Sequence, residues 1–236
     1  MQPYNFNIKK IPLDDIIVYD KQKYNSNNHW SDNMKPNDYN DKISNGYTSK
    51  WIHIFKPKYK TIVLNNKTDL KWMKNANKIG MQTGKFSELF QDELEEMVVR
   101  LNKEHKRIFD GTEYFIRTEN VSLKYGQHGI GPYKNIKSII ESIVSCIAGH
   151  TPIYSDTTEI IIYLIPWTKI NDENEFRVFV HKNKITAISQ QNIYKKLYDD
   201  ISLDKLNAIV TYFESNIKDK IKWTVAKNMD KSRHSL

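Results

Sequence analysis

The sequence predicts an α+β fold with helices and antiparallel strands interleaved, and three observations predict it. Glu159–Ile165 (E-I-I-I-Y-L-I) is a nearly continuous apolar, β-branched run, the pattern of a strand covered on both faces. Glu175–Val180 alternates, with Phe176, Val178 and Val180 on one side and Glu175, Arg177 and Phe179 on the other. Lys182-Asn183-Lys184 then offers a tight turn, with Asn183 suited to positive φ, and Lys184–Ser189 returns antiparallel. The third observation is a set of three segments with helical periodicity among these strands, which favours α+β layers over a doubly wound parallel sheet.

Met1–Ser49 is polar and rich in Asn, Asp and Lys. Its apolar cluster Ile16-Ile17-Val18-Tyr19 suggests one strand or edge segment. Tyr24–Asn45 reads as a long loop, with Trp30, Tyr39 and Tyr47 as packing anchors. Lys50–Phe55 and Thr61–Leu64 are expected as short strands, and Lys67–Lys78 as a short helix. Ser87–Phe109 is expected as a helix capped by Ser87, with Phe90, Leu94, Met97, Val98 and Leu101 on one stripe. Acids crowd its start and bases its end, as the helix dipole favours. Glu113–Arg117 reads as a strand.

Asn135 caps an expected helix to Ala148, whose apolar face is Ile136, Ile139, Ile140, Ile143, Val144 and Ile147, with Gly149 at its end. Ser202–Ile217 is the last helix, capped by Ser202 and presenting Leu203, Leu206, Ile209, Val210, Phe213 and Ile217 to a core, and Trp223-Thr224-Val225 suggests a final strand. Three parts are expected: a polar 1–49 segment, a subdomain over 50–156 and a second over 157–236.

The chain of 236 residues carries a net charge of +8, and its pI is near 9.2. This favours acidic partners, among them nucleotide phosphates, nucleic acid or an acidic protein surface. Its Asn, Lys and Ile richness supplies a second origin for that charge. The single cysteine, Cys146, excludes an internal disulfide and a Cys-built zinc site, and its apolar helical setting reads as core. No apolar run approaches a membrane span, and Met1–Lys10 has no signal-like apolar stretch, so the expected location is the cytoplasm.

Several residues are chemical candidates. Arg177 stands mid-strand among apolar neighbours, so it needs an anion, either Glu175 or a ligand phosphate. Arg117 ends a strand and Lys124 follows on the linker; both could grip phosphates or be solvated surface charges. Gly126-x-x-Gly129-x-Gly131 could bring backbone amides to a phosphate or be a flexible connector. It is neither of the standard phosphate-loop fingerprints. The histidines show no zinc spacing, and no Ser or Cys sits in a nucleophile elbow.

The stretch E-F-R-V-F-V-H-K-N-K-I-T-A-I-S-Q-Q-N-I-Y resembles the eukaryotic cell division cycle protein 123 family, whose hallmark is an E-F-R-C-F-V strand, a short turn, and an I-S-Q-R-like strand followed by tyrosines. Upstream, F-I-R-T-E-N-V-S-L-K-Y-G resembles the family's lysine-bearing strand and loop, and Ile160–Trp167 resembles its strand ending in R-K-W. The similarity runs roughly from Trp51 to Asn216. It implies an ATP-grasp-like fold, two α+β subdomains with mostly antiparallel sheets clamping ATP. It also implies an assembly chaperone of translation initiation factor 2 that binds the gamma subunit, with a cell-cycle role.

On that resemblance Arg117 and Lys124 would meet phosphates, and Arg177 would reach the nucleotide from the sheet. The backbone of Tyr163, Leu164 and Ile165 through Trp167 would meet the adenine edge, and Gln190 and Gln191 would lie near the nucleotide. Arg117 stands where the family has lysine, Leu123 precedes Lys124 where it has proline, and Ile165-Pro166 replaces a basic pair. The family closes on an aspartate strand and a D-F-N-like motif that hold magnesium. After Ile217 this chain has only Asp219 and Asp230, so the resemblance supports ATP as cofactor but assigns no metal ligand. Two other readings follow from the same residues: an ATP-grasp ligase joining a carboxylate to a nucleophile, and a basic nucleic-acid-binding module.

Overall fold

The computed structural model describes residues 4–16, 44, 46–55 and 58–221. The chain is α+β with antiparallel sheets, and its described residues divide into two units, 44–168 and 4–16 with 169–221.

The larger unit is built on a three-stranded antiparallel sheet of β1 (Lys60–Leu64), β2 (Tyr114–Arg117) and β3 (Ile160–Pro166), in the order β1-β3-β2. β3 is central, with Ile162 opposite Ile62 of β1 and Leu164 opposite Ile116 of β2. Its continuous apolar run follows from that position, because both faces are covered. Ile160, Ile162 and Leu164 join Ile62, Leu64, Tyr114 and Ile116 in the main core, which α2 (Lys67–Thr83), α3 (Gln91–Glu104) and α4 (Ile136–Ser145) close. Tyr163 and Ile165 face the other way and pack with Ile52 of α1 (Thr48–Phe55), flanked by Trp51, Phe115 and Ile161.

Several expectations are corrected. Residues 50–55 are helical rather than a strand. Thr48 is pinned at the start of α1, its N–H and hydroxyl both bonding carbonyls of the 118–119 turn, and Ile52 points at the sheet. The 67–78 helix continues to Thr83: Asn66 Oδ1 accepts from Thr68 N at 2.8 Å, and Gly84, at φ +68°, stops it. Ser87 makes no capping bond, and the turn Glu88–Phe90 is a separate 3-10 segment before α3. α3 ends at Glu104, five residues short of the expected Phe109. Beyond it Tyr114 Oη and Lys60 Nζ take up the Ile108 carbonyl at 2.8 and 3.1 Å. Asn135 caps α4 as expected, but the helix stops at Ser145 because Cys146 turns extended. Residues 13–16 form one helical turn, and of the apolar cluster 16–19 only Ile16 is described. Ile17–Tyr19, Trp30, Tyr39, Trp223–Val225 and Asp230 lie outside the described residues. The division expected at 156/157 falls at 168/169 instead, since β3 completes the sheet of β1 and β2.

The smaller unit holds β4 (Phe176–His181), β5 (Lys184–Gln190) and α5 (Leu203–Asn216). The two strands form one hairpin, with Lys182 at φ 49° and Asn183 at φ 58°, the mirror-image turn that matches strand twist. A bulge lies between Phe179 and Val180. Leu206, Val210 and Phe213 give α5 its buried face, whereas Leu203, expected on that face, is exposed in the first turn and Ser202 makes no side-chain cap.

Candidate functional site

Arg117 closes β2 opposite Tyr163 of β3. Its side chain is half-buried; Nε donates to Thr48 Oγ1 at 3.3 Å and the guanidinium lies 5.2 Å from the Trp51 ring centre. Burial pushes its pKa below the usual value, and among the described residues no carboxylate lies within ion-pair distance. The nearest acid in sequence, Glu119, is committed elsewhere. Its carboxylate accepts from the Tyr163 phenol and, at 3.2 Å, from Ser49 N at the start of α1. Burial and the Glu119 contact raise the Tyr163 pKa.

The bridge between Arg117 and Ser122 turns the chain back, so the 3-10 turn Leu123–Tyr125 follows the end of β2. Leu123 is buried and anchors this turn, while Lys124 is exposed with Nζ 5.0 Å from the Tyr125 ring. Tyr125 in turn meets the His150 ring at 4.0 Å, and burial together with the Lys124 charge lowers the His150 pKa.

In the glycine loop that follows, the amides of residues 126–129 are already bonded within the fold. Gly126 N donates to Leu123 O and Gly129 N to Gly126 O, both at 2.9 Å. Gln127 N reaches Ser145 Oγ at 2.8 Å and His128 N reaches Ser142 Oγ at 3.2 Å. A Cβ on Gly126 would stand 2.5 Å from the Ser142 carbonyl oxygen, so that glycine serves close packing on α4. Gly129 (φ +65°) and Gly131 (φ +109°) serve the turn.

Tyr163 and Leu164 lie opposite partners on both β1 and β2, whereas Ile165 and Pro166 are paired with β2 alone. The backbone with an unpaired edge therefore starts at Ile165, and Trp167 N is taken by Glu113 O at 2.8 Å.

In the smaller unit, Arg177 is exposed rather than buried among apolar groups. Glu175 is not its ion-pair partner: Nε donates to Gln191 Oε1 at 2.7 Å. The amide of Gln190 ties the following turn through Lys195 O at 2.6 Å. Of the expected residues, the fold thus joins Arg177 to Gln191 and sets Arg117 beside Tyr163. Thr48, Trp51 and Glu119 went unread because residues 50–55 resembled a strand, although the Arg117-x-Glu119 spacing was visible.

A concavity of about 270 Å³ beside the end of α3 is lined by Asn102, His105, Arg107 and Phe109 with Ile108 and Asp110, none of them an expected site residue. Among the described residues no group of three or more His, Cys, Asp or Glu could hold a metal ion, and no helix is long and apolar enough to cross a membrane.

The D123 family model matches residues 139–229, so the resemblance to the cell division cycle protein 123 family stands for that part of the chain. A solved structure of Cdc123 from Schizosaccharomyces pombe is similar at 13% identity, covering 75% of each chain, with a TM-score of 0.42. No curated protein sequence matches the chain.

Proposed function

We propose that this chain is an ATP-binding, ATP-grasp-like protein acting in the cytoplasm as an assembly chaperone, or binding factor, for translation initiation factor 2 through its gamma subunit. The observation that carries this reading is the D123 match over residues 139–229, which takes in the whole E-F-R-V-F-V-H…I-S-Q-Q hairpin. In the larger unit, the proposed nucleotide contacts are Arg117, Lys124 and the backbone from Ile165 to Trp167. In the smaller unit they are Arg177 and Gln191. Arg117 fits a phosphate group: it is a half-buried cation whose neighbouring acid bonds elsewhere, so an external anion would supply the missing charge.

ATP is expected to raise the melting temperature of the wild-type chain, and Arg177→Ala and Lys124→Ala are each expected to reduce that rise. An ATP titration that leaves the wild-type melting curve unmoved rejects nucleotide binding. The partner half of the proposal is tested separately with purified initiation factor 2 gamma subunit. Co-elution in size-exclusion chromatography is the expected result, and separate elution at micromolar concentrations of both proteins rejects it.

A further inference from the structure

The β4–β5 hairpin displays an aromatic side chain that the contacts above leave unused. Arg177 and Phe179 are two residues apart on β4, so their side chains leave the same face of the ribbon roughly 7 Å apart. Opposite them stand Ser189 and Ala187, the two smallest side chains of β5, so no bulky side chain lies directly across from either one. The other face has its own cover, since Phe176 stacks on Tyr198 at 6.2 Å with the rings 14° from parallel. Phe179 remains 49% exposed.

The Gln191 bond orients the guanidinium of Arg177 through Nε alone, and its terminal N–H groups carry no other hydrogen bond among the described residues. From 176 to 191 the chain has the cations Arg177, Lys182 and Lys184 and no Asp or Glu, and none of these three has a carboxylate partner among the described residues. A fixed guanidinium fork suits a phosphate, and an uncovered flat ring beside it suits the π-face of a base.

We propose that Phe179 stacks the nucleobase of the nucleotide whose phosphates Arg177 contacts, an inference that rests on the nucleotide reading above. The ligand class is a purine or pyrimidine nucleoside phosphate, and the ring, unlike the cations, distinguishes it from a bare polyphosphate.

Isothermal titration calorimetry on the full chain with ATP and with inorganic tripolyphosphate tests this. Phe179→Ala is expected to weaken ATP roughly 10-fold, in line with the usual worth of one base–aromatic stack, and to leave tripolyphosphate unchanged. Phe179→Trp restores ATP affinity, and Val178→Ala, on the opposite face, leaves both ligands unaffected. If Phe179→Ala binds ATP as tightly as wild type, or weakens both ligands equally, the stacking role is overturned while nucleotide binding stands. If the wild type binds neither ligand, the nucleotide reading and this inference fall together.

Discussion

Gly80→Ala tests the packing that holds the Lys124 turn in place. On an exposed helix surface the change would stabilise by about 1 kcal/mol, because alanine restricts the unfolded chain and glycine does not. Gly80, however, is buried on α2 where that helix crosses α4. An added Cβ would lie 2.1 Å from the Val144 carbonyl oxygen and 2.9 Å from the Ser145 Cα. Both are backbone atoms, so no side chain can swing aside, and the helices must part by roughly 1 Å to restore ordinary contact. Overpacking of this kind costs about 1–3 kcal/mol. The same carbonyl accepts from Asn77 Nδ2 at 3.0 Å, and Asn77 in turn accepts from Thr151. Stretching that buried bond adds about 1–3 kcal/mol. After the propensity gain is subtracted, a net loss of about 3 kcal/mol remains, or a fall in melting temperature of roughly 6–12 °C. Thermal unfolding followed by circular dichroism measures it, with Lys71→Ala on the solvent side of α2 expected within about 0.5 kcal/mol of wild type. A Gly80→Ala chain that melts at or above wild type refutes the close crossing. Because Ser145 and Ser142 of α4 also hold the amides of Gln127 and His128, the same variant should blunt any effect of ATP that depends on Lys124.

Two further outcomes follow from buried groups and turn geometry. Burial pushes Tyr133 and the Cys146 thiol up to about 12 each. The unfolded chain therefore releases these protons first, and stability is full below about pH 9 and falls as pH rises toward 12, as urea midpoints at pH 8, 10 and 11 should show. Tyr133→Phe should flatten the part of that fall above about pH 10. Lys182→Asn combined with Asn183→Gly suits the positive φ at both turn positions and should slow hydrogen exchange across β4–β5 by several-fold; unchanged or faster exchange counts against the turn assignment.

Much of this architecture was legible because local pattern and tertiary demand agreed. The apolar face of α4, the run of β3 and the Lys182-Asn183 turn each state their own geometry in a few residues. The errors arose where distant partners decide. Trp51-Ile52-His53-Ile54-Phe55 has the composition of a strand, yet the carbonyls of residues 118–119 pin the start of a helix there. The domain boundary was misplaced because β3 pairs with strands far upstream, which no local signal reveals. The glycine loop looked free to meet phosphate because sequence does not show that Ser142 and Ser145 take its amides. At the candidate site the cations were visible, but their surroundings were not. Arg177 was read as a cation among apolar neighbours in need of an anion and is exposed, while Arg117, the less conspicuous of the two, is the one partly withdrawn from water.

That withdrawal permits a test in which stability and ligand response move apart. A half-buried guanidinium loses hydration, and the compensation it receives among the described residues is one hydrogen bond to Thr48 and the face of Trp51. Glu119, two residues away, could have neutralised it but bonds Tyr163 and Ser49 instead. Replacing a cation that has no ion-pair partner by an apolar group of similar length removes its desolvation cost and leaves no opposite charge stranded. Arg117→Met is therefore expected to melt at or above wild type without ligand, and to lose most of the rise produced by ATP. A residue retained for structure alone would behave the other way. Should Arg117→Met destabilise the free chain by more than about 2 kcal/mol while the ATP-induced rise persists, the guanidinium holds α1 to the sheet, and its phosphate role is wrong.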